Sequence, residues 1–586
     1  MTANEILDIL NESESEAEAD IFIEPPDVKE ITDEDSGNDE NPEKLKPTCL
    51  SGNQLRAKAT LRRRKKPGKI IQESDSEGEV DYLPISKSRK RNIDMFKWSE
   101  EAPPRKYMPI FPESNTSKYK DFTPLELFEL FFDEEIIEDM VEQSNLYARE
   151  KNIFESIVSS DEMRLFLGVL IITGYAPKPS RRSHWQSSPD LRNDAIYNSM
   201  RRNRFEYIMK CLHFKNNAHL DPEDKYSKLR PLIAHLQKKF MLHFIPSQNI
   251  SHDEAMIEYF GKHSCKQAIR MKPIRFGYKV WCQNTKPGYL LAFDVYQGKT
   301  YRGNSSYEDT YGKCAATLLH LIDQYSDHTK SLPFTFYCDN LFTTLPLMDE
   351  LNHRGYNCIG TIRANRMGRN CILPTTKEME KKSRGSTSSA YASSGDNSYQ
   401  ITRWKDNAVV TVASSIITHN SSHKVSRWSK ATNTKISIDE PLSLHLYSQY
   451  MGGIDRCNQN VNHYRISVRG KKWWWSIFTW LLDCAVHNAW QIARLRGDDI
   501  THVDFRSQLA MGYIDKFGVP PKSSGRRQPS NFQDARYDGM NHLVMKVEEG
   551  KKRRCGGDNC SSIVRTKCQK CDRALCIDCF VGYHTL

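Results

Sequence analysis

The sequence predicts a mixed α/β fold on three observations. From residue 249 onward, strand-like and helical runs follow in the order strand, strand, strand, helix, strand, helix, strand. Upstream, residues 118–248 are mainly helical in their apolar spacing, and downstream of Leu442 the helical period returns. The chain has 586 residues, more than one core usually organises, so two to four domains are expected.

Thr123-Pro124-Leu125-Glu126 reads as a capping box with Pro at the first helical position. Leu127, Leu130, Phe131, Ile136, Ile137 and Met140 then recur at helical spacing. A second helix starts after Ser159, with Glu162 three residues on, and further helices are read over 201–214 and 226–242. NISHDEAMIEYF, RFGYKVWCQ and GYLLAFDVYQG read as strands, the last two separated by Asn-Thr-Lys-Pro-Gly turn chemistry. A helix over 312–325, the strand PFTFYCDN, a helix over 345–354 and a strand over 356–362 complete the alternation. Residues 363–398 turn basic and then Ser-rich (SRGSTSSAYASSGDNS), which reads as an insertion with a disordered loop; the strand-like YQITRW and NAVVTVASS follow. A long helix is expected over 473–496 and a basic linker over 517–550.

Charge narrows the function classes. Residues 1–48 hold 16 acids and 3 bases, a net −13, which leaves +23 on the remainder of a chain of +10. A basic body with an acidic tail points to a polyanionic partner, above all nucleic acid. Residues 1 to about 100 read as disordered, with Ser set before acids at 12–20 and 73–79 and basic clusters at 62–66 and 87–91. Those clusters suit a nuclear import signal, a DNA-contacting arm or a solvated basic run alike. No apolar run approaches a membrane span, the longest being 166–175, which reads as a core helix. The N-terminus lacks the pattern of a signal segment, so a cytosolic or nuclear protein without membrane association is expected.

Three acids stand at element ends: Asp253 within a strand, Asp339 at the end of another, and Asp455 after Gly452-Gly453. Spacing alone reads them first as turn or capping acids. The other reading is a carboxylate site for divalent cations, which would offset the cost of acids in sheet-forming runs and support phosphoryl transfer. Lys262, Lys266, Arg270, Lys272, Arg275 and Lys279 lie after the first acid, and Arg465, Arg469, Lys471 and Lys472 after the third. Their position favours phosphate contact over a merely solvated face. Trp473, Trp474 and Trp475 cannot share one helix face, so one or two are expected in the core with Phe478, Leu481 and Leu482, leaving a third for DNA or a partner.

Of 16 cysteines, six fall in the last 32 residues. Cys568-x-x-Cys571 and Cys576-x-x-Cys579, preceded by Cys555 and Cys560 and followed by His584, have zinc-ligand spacing. Seven donors suit two interleaved Zn²⁺ sites if Asp558, Asp572, Asp578 or a water supplies the eighth, or one zinc with spare thiols. Lys551, Lys552, Arg553, Arg554 and Arg565 give this tail a basic surface; a histone- or protein-binding finger is its alternative use.

The strings SHDEAMIEYFGKH, KPIRFGYK, YCDNLFTTLPL, MGGIDRCNQN and the terminal C-x-x-C…YHT, in that order, resemble the piggyBac transposases and the vertebrate proteins derived from that element. The resemblance runs from about residue 112 to the end. It implies a ribonuclease-H-like catalytic core in which Asp253, Asp339 and Asp455 bind Mg²⁺ or Mn²⁺. It also implies cut-and-paste transposition through hairpinned ends into TTAA sites, double-stranded terminal-repeat DNA as partner, a homodimer and a nuclear location. Lys272, Arg275, Lys279, Arg465, Arg469, Lys471 and Lys472 are the expected DNA contacts. Many members carry a further Asp three residues after the third; here it is Asn458, which keeps an oxygen ligand but loses the charge. A domesticated, catalytically weakened DNA-binding descendant is therefore the alternative to an active transposase. The expected organisation is a disordered region over 1–111 and a helical dimerisation and DNA-binding domain over 112–248 and 463–540. The ribonuclease-H-like core spans 249–365 and 442–462, with an insertion domain over 366–441. A basic linker over 541–554 and a zinc-binding cysteine-rich domain over 555–586 end the chain.

Overall fold

The computed structural model describes residues 94–104, 109–153, 155–269, 272–298, 306–419, 421–429, 432–520, 537, 542–548 and 551–585; at 19–23, 59–63 and 305 it describes the backbone alone. The segments 73–79 and 87–91, and most of 12–20 and 62–66, lie outside these residues. The backbone of Ala19–Ile23 pairs antiparallel with that of Ala59–Arg63, inside the stretch expected to be disordered. Two compact units result, Met1–His184 with Asn193–Val519, and Trp185–Arg192 with Pro520–Leu586. The helical and sheet-forming segments thus share one unit rather than forming separate ones.

The helices of the first unit begin where the capping chemistry lies. Helix α1 (Pro124–Glu129) forms the Thr123/Glu126 capping box, with the Thr123 amide 2.8 Å from Glu126 Oε2. Helix α2 (Glu134–Glu150) starts on Asp133, and α3 (Ser160–Tyr175) on the Ser159/Glu162 box. Every residue of α3 from Met163 to Gly174 is buried, as its unbroken apolar run requires. Helices α4 (Arg202–Cys211) and α5 (Arg230–Leu242) follow, the second with Pro231 in its first turn.

Ten strands form one mixed sheet. Strand β1 (Lys97–Ser99) lies at one edge. The central strands are β2 (Asn249–Glu258), β3 (Lys266–Ala268), β4 (Phe276–Thr285), β5 (Leu290–Val295), β6 (Thr335–Cys338) and β7 (Asn357–Thr361). Beyond them come β8 (Thr387–Ser394), β9 (Asn397–Lys405) and β10 (Val409–Ser414). The order across the sheet is β1-β8-β9-β10-β7-β6-β2-β4-β3, with β5 also on β4. Strand β4 runs antiparallel to both β2 and β5, whereas β6 and β7 run parallel to β2. The crossovers before β6 and β7 carry α6 (Lys313–Asp323) and α7 (Leu345–His353). Three antiparallel strands followed by two parallel ones make the ribonuclease-H-like arrangement that the sequence predicts.

Two expectations fail here. Serine-rich residues 387–394 form a strand, not a disordered loop. Ala390, Tyr391 and Ala392 bury themselves, and the two-residue turn Gly395-Asp396, with Gly395 at φ 54°, closes a hairpin onto β9. The segment around Lys97 pairs with Tyr391–Ser393 and buries Phe96 against Tyr399, so structure starts before residue 111.

The rest of the insertion is a separate hairpin of β11 (Ser422–Ser429) and β12 (Thr434–Pro441). It leads into α8 (Leu442–Tyr450), α9 (Gly453–His463), α10 (Trp475–Leu495) and α11 (His502–Phe517). Trp474 and Trp475 are buried, each worth on the order of 2–3 kcal/mol in area removed from water. Trp473 is half-buried and stacks on His263 at 4.5 Å between ring centroids. Among the described residues no helix is long and apolar enough to cross a membrane.

In the second unit, β13 (Val544–Lys546) pairs with β16 (Thr566–Cys568), and β14 (Arg553–Arg554) with β15 (Ile563–Val564). Helix α12 (Ile577–His584) ends the fold. Val544–Lys546 and Arg553–Arg554, inside the stretch 541–554 expected as a linker, carry strand pairings with this segment.

Candidate active site and metal-binding tail

Two of the three aspartates meet because their strands are parallel neighbours. His252 on β2 registers with Cys338 on β6, so Asp253, still within β2, and Asp339, just past the end of β6, stand on neighbouring strands at the same level. The D-N-x-F-T string has a local explanation. Asp339 Oδ1 accepts the Leu341 amide at 2.7 Å, and its carbonyl accepts the amides of Phe342 and Thr343 at 3.2 Å, which turns the chain sharply. Phe342 is then fully buried between His252 (4.6 Å) and Trp281 (5.5 Å). Thr344 caps α7 through the Leu347 amide, with Pro346 in the first turn.

Asp455 lies in the first turn of α9 rather than in a turn, and it is exposed. The glycine before it is required by close approach. A Cβ on Gly453 would lie 2.5 Å from the Thr285 carbonyl oxygen and 2.6 Å from Ser251 Oγ. Ser251 and Asp253 share one face of β2, so this contact seats the start of α9 over the same face. Asn458, three residues after Asp455, is half-buried on the same side of α9.

The electrostatics are those of acids waiting for a cation. Burial, with the charges of Glu254 and Asp339, pushes the Asp253 carboxyl well up from its ordinary value. Burial also raises Asp339, with Glu254 adding to it against the Leu341 hydrogen bond. Lys272 sits among these groups, 3.4 Å from Glu254. Burial works against its charge, but Asp253, Glu254 and Asp455 outweigh that and raise its pKa. Oxygens of Asp253, Asp339 and Asp455 do not all fall within 4.8 Å of one another. The donors are hard oxygens, which fits a Mg²⁺-class ion.

The basic residues expected on DNA have distinct surroundings. Lys279 lies 4.0 Å over the Trp281 ring, beside Phe342. Arg469 and Lys471 are exposed. Arg465 Nη2 reaches the Ser476 carbonyl at 3.5 Å. Lys472 donates to the carbonyls of Lys210 and Leu212 at 2.8 and 3.1 Å, closing the end of α4, and Lys266 is buried with its ammonium on the Phe260 carbonyl. Arg275 is half-buried, and Arg270 lies outside the described residues. Sequence reasoning missed Arg363 and Arg366. The first donates to Asn340 Oδ1 at 3.0 Å and the second to the carbonyls of Leu341 and Thr343 at 3.0 Å, bracing the Asp339 turn.

In the tail, the donors sort into two groups of four: Cys555, Cys560, Cys576 and Cys579, and His542, Cys568, Cys571 and His584. The groups alternate along the chain, a cross-brace. The eighth donor is His542, whose Nδ1 lies 3.4 Å from Cys568 Sγ and 3.5 Å from Cys571 Sγ. It is none of the expected acids: Asp572 pairs with Lys567 at 2.6 Å, and Asp558 and Asp578 are exposed. Amides of Gly557, Cys576, Cys579 and Cys571 point at the sulfurs at 3.3–3.5 Å, as in metal knuckles. The His542 and His584 rings lie 4.0 Å apart between centroids, which brings both imidazoles to Cys568 and Cys571. Four thiolates, and two thiolates with two imidazoles, are donor sets of closed tetrahedral sites. His542 went unnoticed because it stands 13 residues before the first cysteine, with no spacing rule to link them. Lys551, Lys552, Arg553, Arg554 and Arg565 are all exposed.

Comparison with known proteins agrees with this geometry. The sequence profile of the family described as Transposase IS4 matches residues 123–490. Human PiggyBac transposable element-derived protein 3 is 36% identical over 615 residues, covering 100% of this chain and 99% of that protein. Human PiggyBac transposable element-derived protein 2 is 32% identical over 546 residues, covering 91% and 88%. A piggyBac transposase solved by cryo-EM as a synaptic complex with hairpin DNA matches with a TM-score of 0.60 at 18% identity, over 80% of this chain and 100% of that one. At that identity the likeness is one of fold.

Proposed function

The chain belongs to the piggyBac transposase family, and on that premise we propose that it is a metal-dependent DNA transposase acting in the nucleus as a homodimer. The observation that supports this reading is that parallel pairing sets Asp253 level with Asp339, while Gly453, packed on Ser251, starts the helix that carries Asp455. Mg²⁺ or Mn²⁺ bound there would supply the charge that phosphoryl transfer needs at the attacking and leaving oxygens. In this reading Asp253 from within β2, Asp339 from the end of β6 and Asp455 from the first turn of α9 would hold the ions. Lys272, Lys279, Arg469 and Lys471 offer cations to the DNA backbone around them. In the proposed sequence, water cleaves a phosphodiester at the transposon 3′ end. The freed 3′ hydroxyl then attacks a phosphodiester of the opposite strand; the new phosphodiester closes a hairpin on the transposon end, and the 3′ hydroxyl of the flanking strand is the leaving group. Hydrolysis of the hairpin then restores the 3′ hydroxyl, which attacks a phosphodiester of the TTAA target and displaces a target 3′ hydroxyl. The tail, with a zinc ion in each donor group, would read the transposon ends through its exposed arginines and lysines.

A second reading has its own observation. Asn458 offers no charge where many relatives carry a carboxylate, and the similar human proteins are named as element-derived. The chain would then keep DNA binding and lose much of its cleavage. Excision from a donor plasmid carrying the ends that flank the gene's own locus separates the two. Clean TTAA repair with wild type, absent with Asp339→Asn, supports the transposase; excision only with Asn458→Asp supports the disabled descendant. No excision with any form, together with end-specific binding, would overturn the enzymatic reading.

A further inference from the structure

His235 on α5 faces the start of α2, and its side chain is only 8% exposed. Its Nε2 is buried and makes no hydrogen bond, although it stands 3.1 Å from Asp133 Oδ1. Its Nδ1 lies 3.9 Å from Glu135 Oε2. One donor atom from each of Asp133, Glu135 and His235 falls within 4.8 Å of the others. A plain ion pair would need a charged imidazole. Burial lowers the His235 pKa from its ordinary value, against the pull of Asp133, so the ring is largely uncharged at neutral pH. Lys239 pairs with Asp133 Oδ2. Oδ1 accepts the Ile136 amide at 3.4 Å and keeps a lone pair for another partner. A buried nitrogen and a carboxylate oxygen so close, yet not hydrogen-bonded, is the relation of two ligands of one ion. Each then points at the ion rather than at the other. With zinc bonds of ~2.0–2.1 Å in a tetrahedron, neighbouring donors stand about 3.3 Å apart.

We propose that Asp133, Glu135 and His235 hold a divalent ion of the Zn²⁺ class, which clasps the start of α2 to α5. The proposal does not depend on the transposase reading. One imidazole nitrogen with two carboxylates suits Zn²⁺ better than Mg²⁺, and three protein ligands leave a place for water. The two carboxylates match the charge of the ion, and the positive end of the α2 dipole opposes it with less than one full charge. Helix α5 in turn rests on the central sheet. Gln237 Oε1 accepts the Phe293 amide at 3.0 Å, and Phe240 packs on Phe293 at 5.9 Å between ring centroids. The ion would therefore tie α2, through α5, to strand β5.

A metal-free network of Asp133, His235 and Lys239 is the rival. The two differ in the zinc content of the full-length protein, dialysed to equilibrium at the lowest free Zn²⁺ that saturates the wild type and counted by mass spectrometry. His235→Ala and Glu135→Ala should each hold one zinc ion per chain fewer than wild type, with the half-saturating Zn²⁺ concentration raised at least about tenfold. Lys239→Met removes a cation that competes for Asp133 and should keep the ion. Glu135 is exposed, so Glu135→Ala carries the test if circular dichroism shows His235→Ala misfolded. Zinc content in Glu135→Ala equal to wild type overturns the proposal. So does a loss in Lys239→Met as large as in His235→Ala, which marks an ion-pair network. The double variant Glu135→Ala with His542→Ala should lose two ions, since the tail is a separate site. A double variant that loses no more than His542→Ala alone assigns the ion to the tail and overturns the proposal as well.

Discussion

Gly453 and Ser251 stand so close that any side chain on the glycine would meet the serine hydroxyl at 2.6 Å. This contact lets the start of α9 lie against β2, and it explains the glycine at 453. Gly453→Ala should push α9 outward and displace Asp455. A misplacement of about 1 Å is worth roughly 100-fold in rate. Strand cleavage should fall by that order while DNA binding by the tail, measured by anisotropy, stays within about twofold. Equal cleavage by mutant and wild type would refute the packing account.

His542 gives a sharp test of the cross-brace. His542→Ala should remove one of the tail's two zinc ions, as should His584→Ala, because each empties the same donor group. Asp572→Asn should keep both ions, since that carboxylate pairs with Lys567. Metal content by mass spectrometry of the purified protein reads all three.

Arg506 and Asp483 form an ion pair with neither side chain exposed, joining α11 to α10. Asp483 Oδ2 also accepts the Ile466 amide at 3.2 Å. Removing one partner strands a buried charge, so Arg506→Met should destabilise the chain by about 3–5 kcal/mol. The double change Arg506→Met with Asp483→Leu should recover much of that loss in a urea titration.

His213 stacks on Tyr147 at 3.8 Å and lies next to Lys472. Burial, helped by the lysine charge, lowers its pKa to about 4. An unfolded histidine titrates near 6.5, so between those values the unfolded chain takes up a proton that the fold refuses. Stability from this group is therefore complete above about pH 6.5 and lost as pH falls toward 4, by about 2 kcal/mol at pH 5. His213→Gln should show a smaller drop in melting temperature between pH 7.5 and 5 than wild type.

The elements legible in the sequence were those with local causes. Capping boxes at Thr123 and Ser159 fixed helix starts, and alternating aromatic and β-branched runs marked β4 and β5. Asp253, Asp339 and Asp455 could be named because each sits in its own short string. What stayed hidden depends on distant partners. The serines of β8 read as disorder because their strand is stabilised by β9 and β1 rather than by their own hydrophobicity. The carbonyls of Lys210 and Leu212 that Lys472 closes lie some 260 residues away in the chain and leave no local signal. Asp133, Glu135 and His235 drew no notice because α2 and α5, which bring them together, lie far apart in the chain.

The central claim is that Asp253, Asp339 and Asp455 form a cation-dependent centre for cutting DNA. Its most direct test is cleavage of a labelled duplex by the purified full-length protein. The duplex would carry the gene's own flanking end next to TTAA, with Mg²⁺ or with EDTA. The account predicts 3′-end nicking and a hairpin product in Mg²⁺, none in EDTA, and none with Asp339→Asn. Cleavage that survives both EDTA and Asp339→Asn would contradict it, as would a wild type and an Asn458→Asp variant that bind this duplex yet leave it intact.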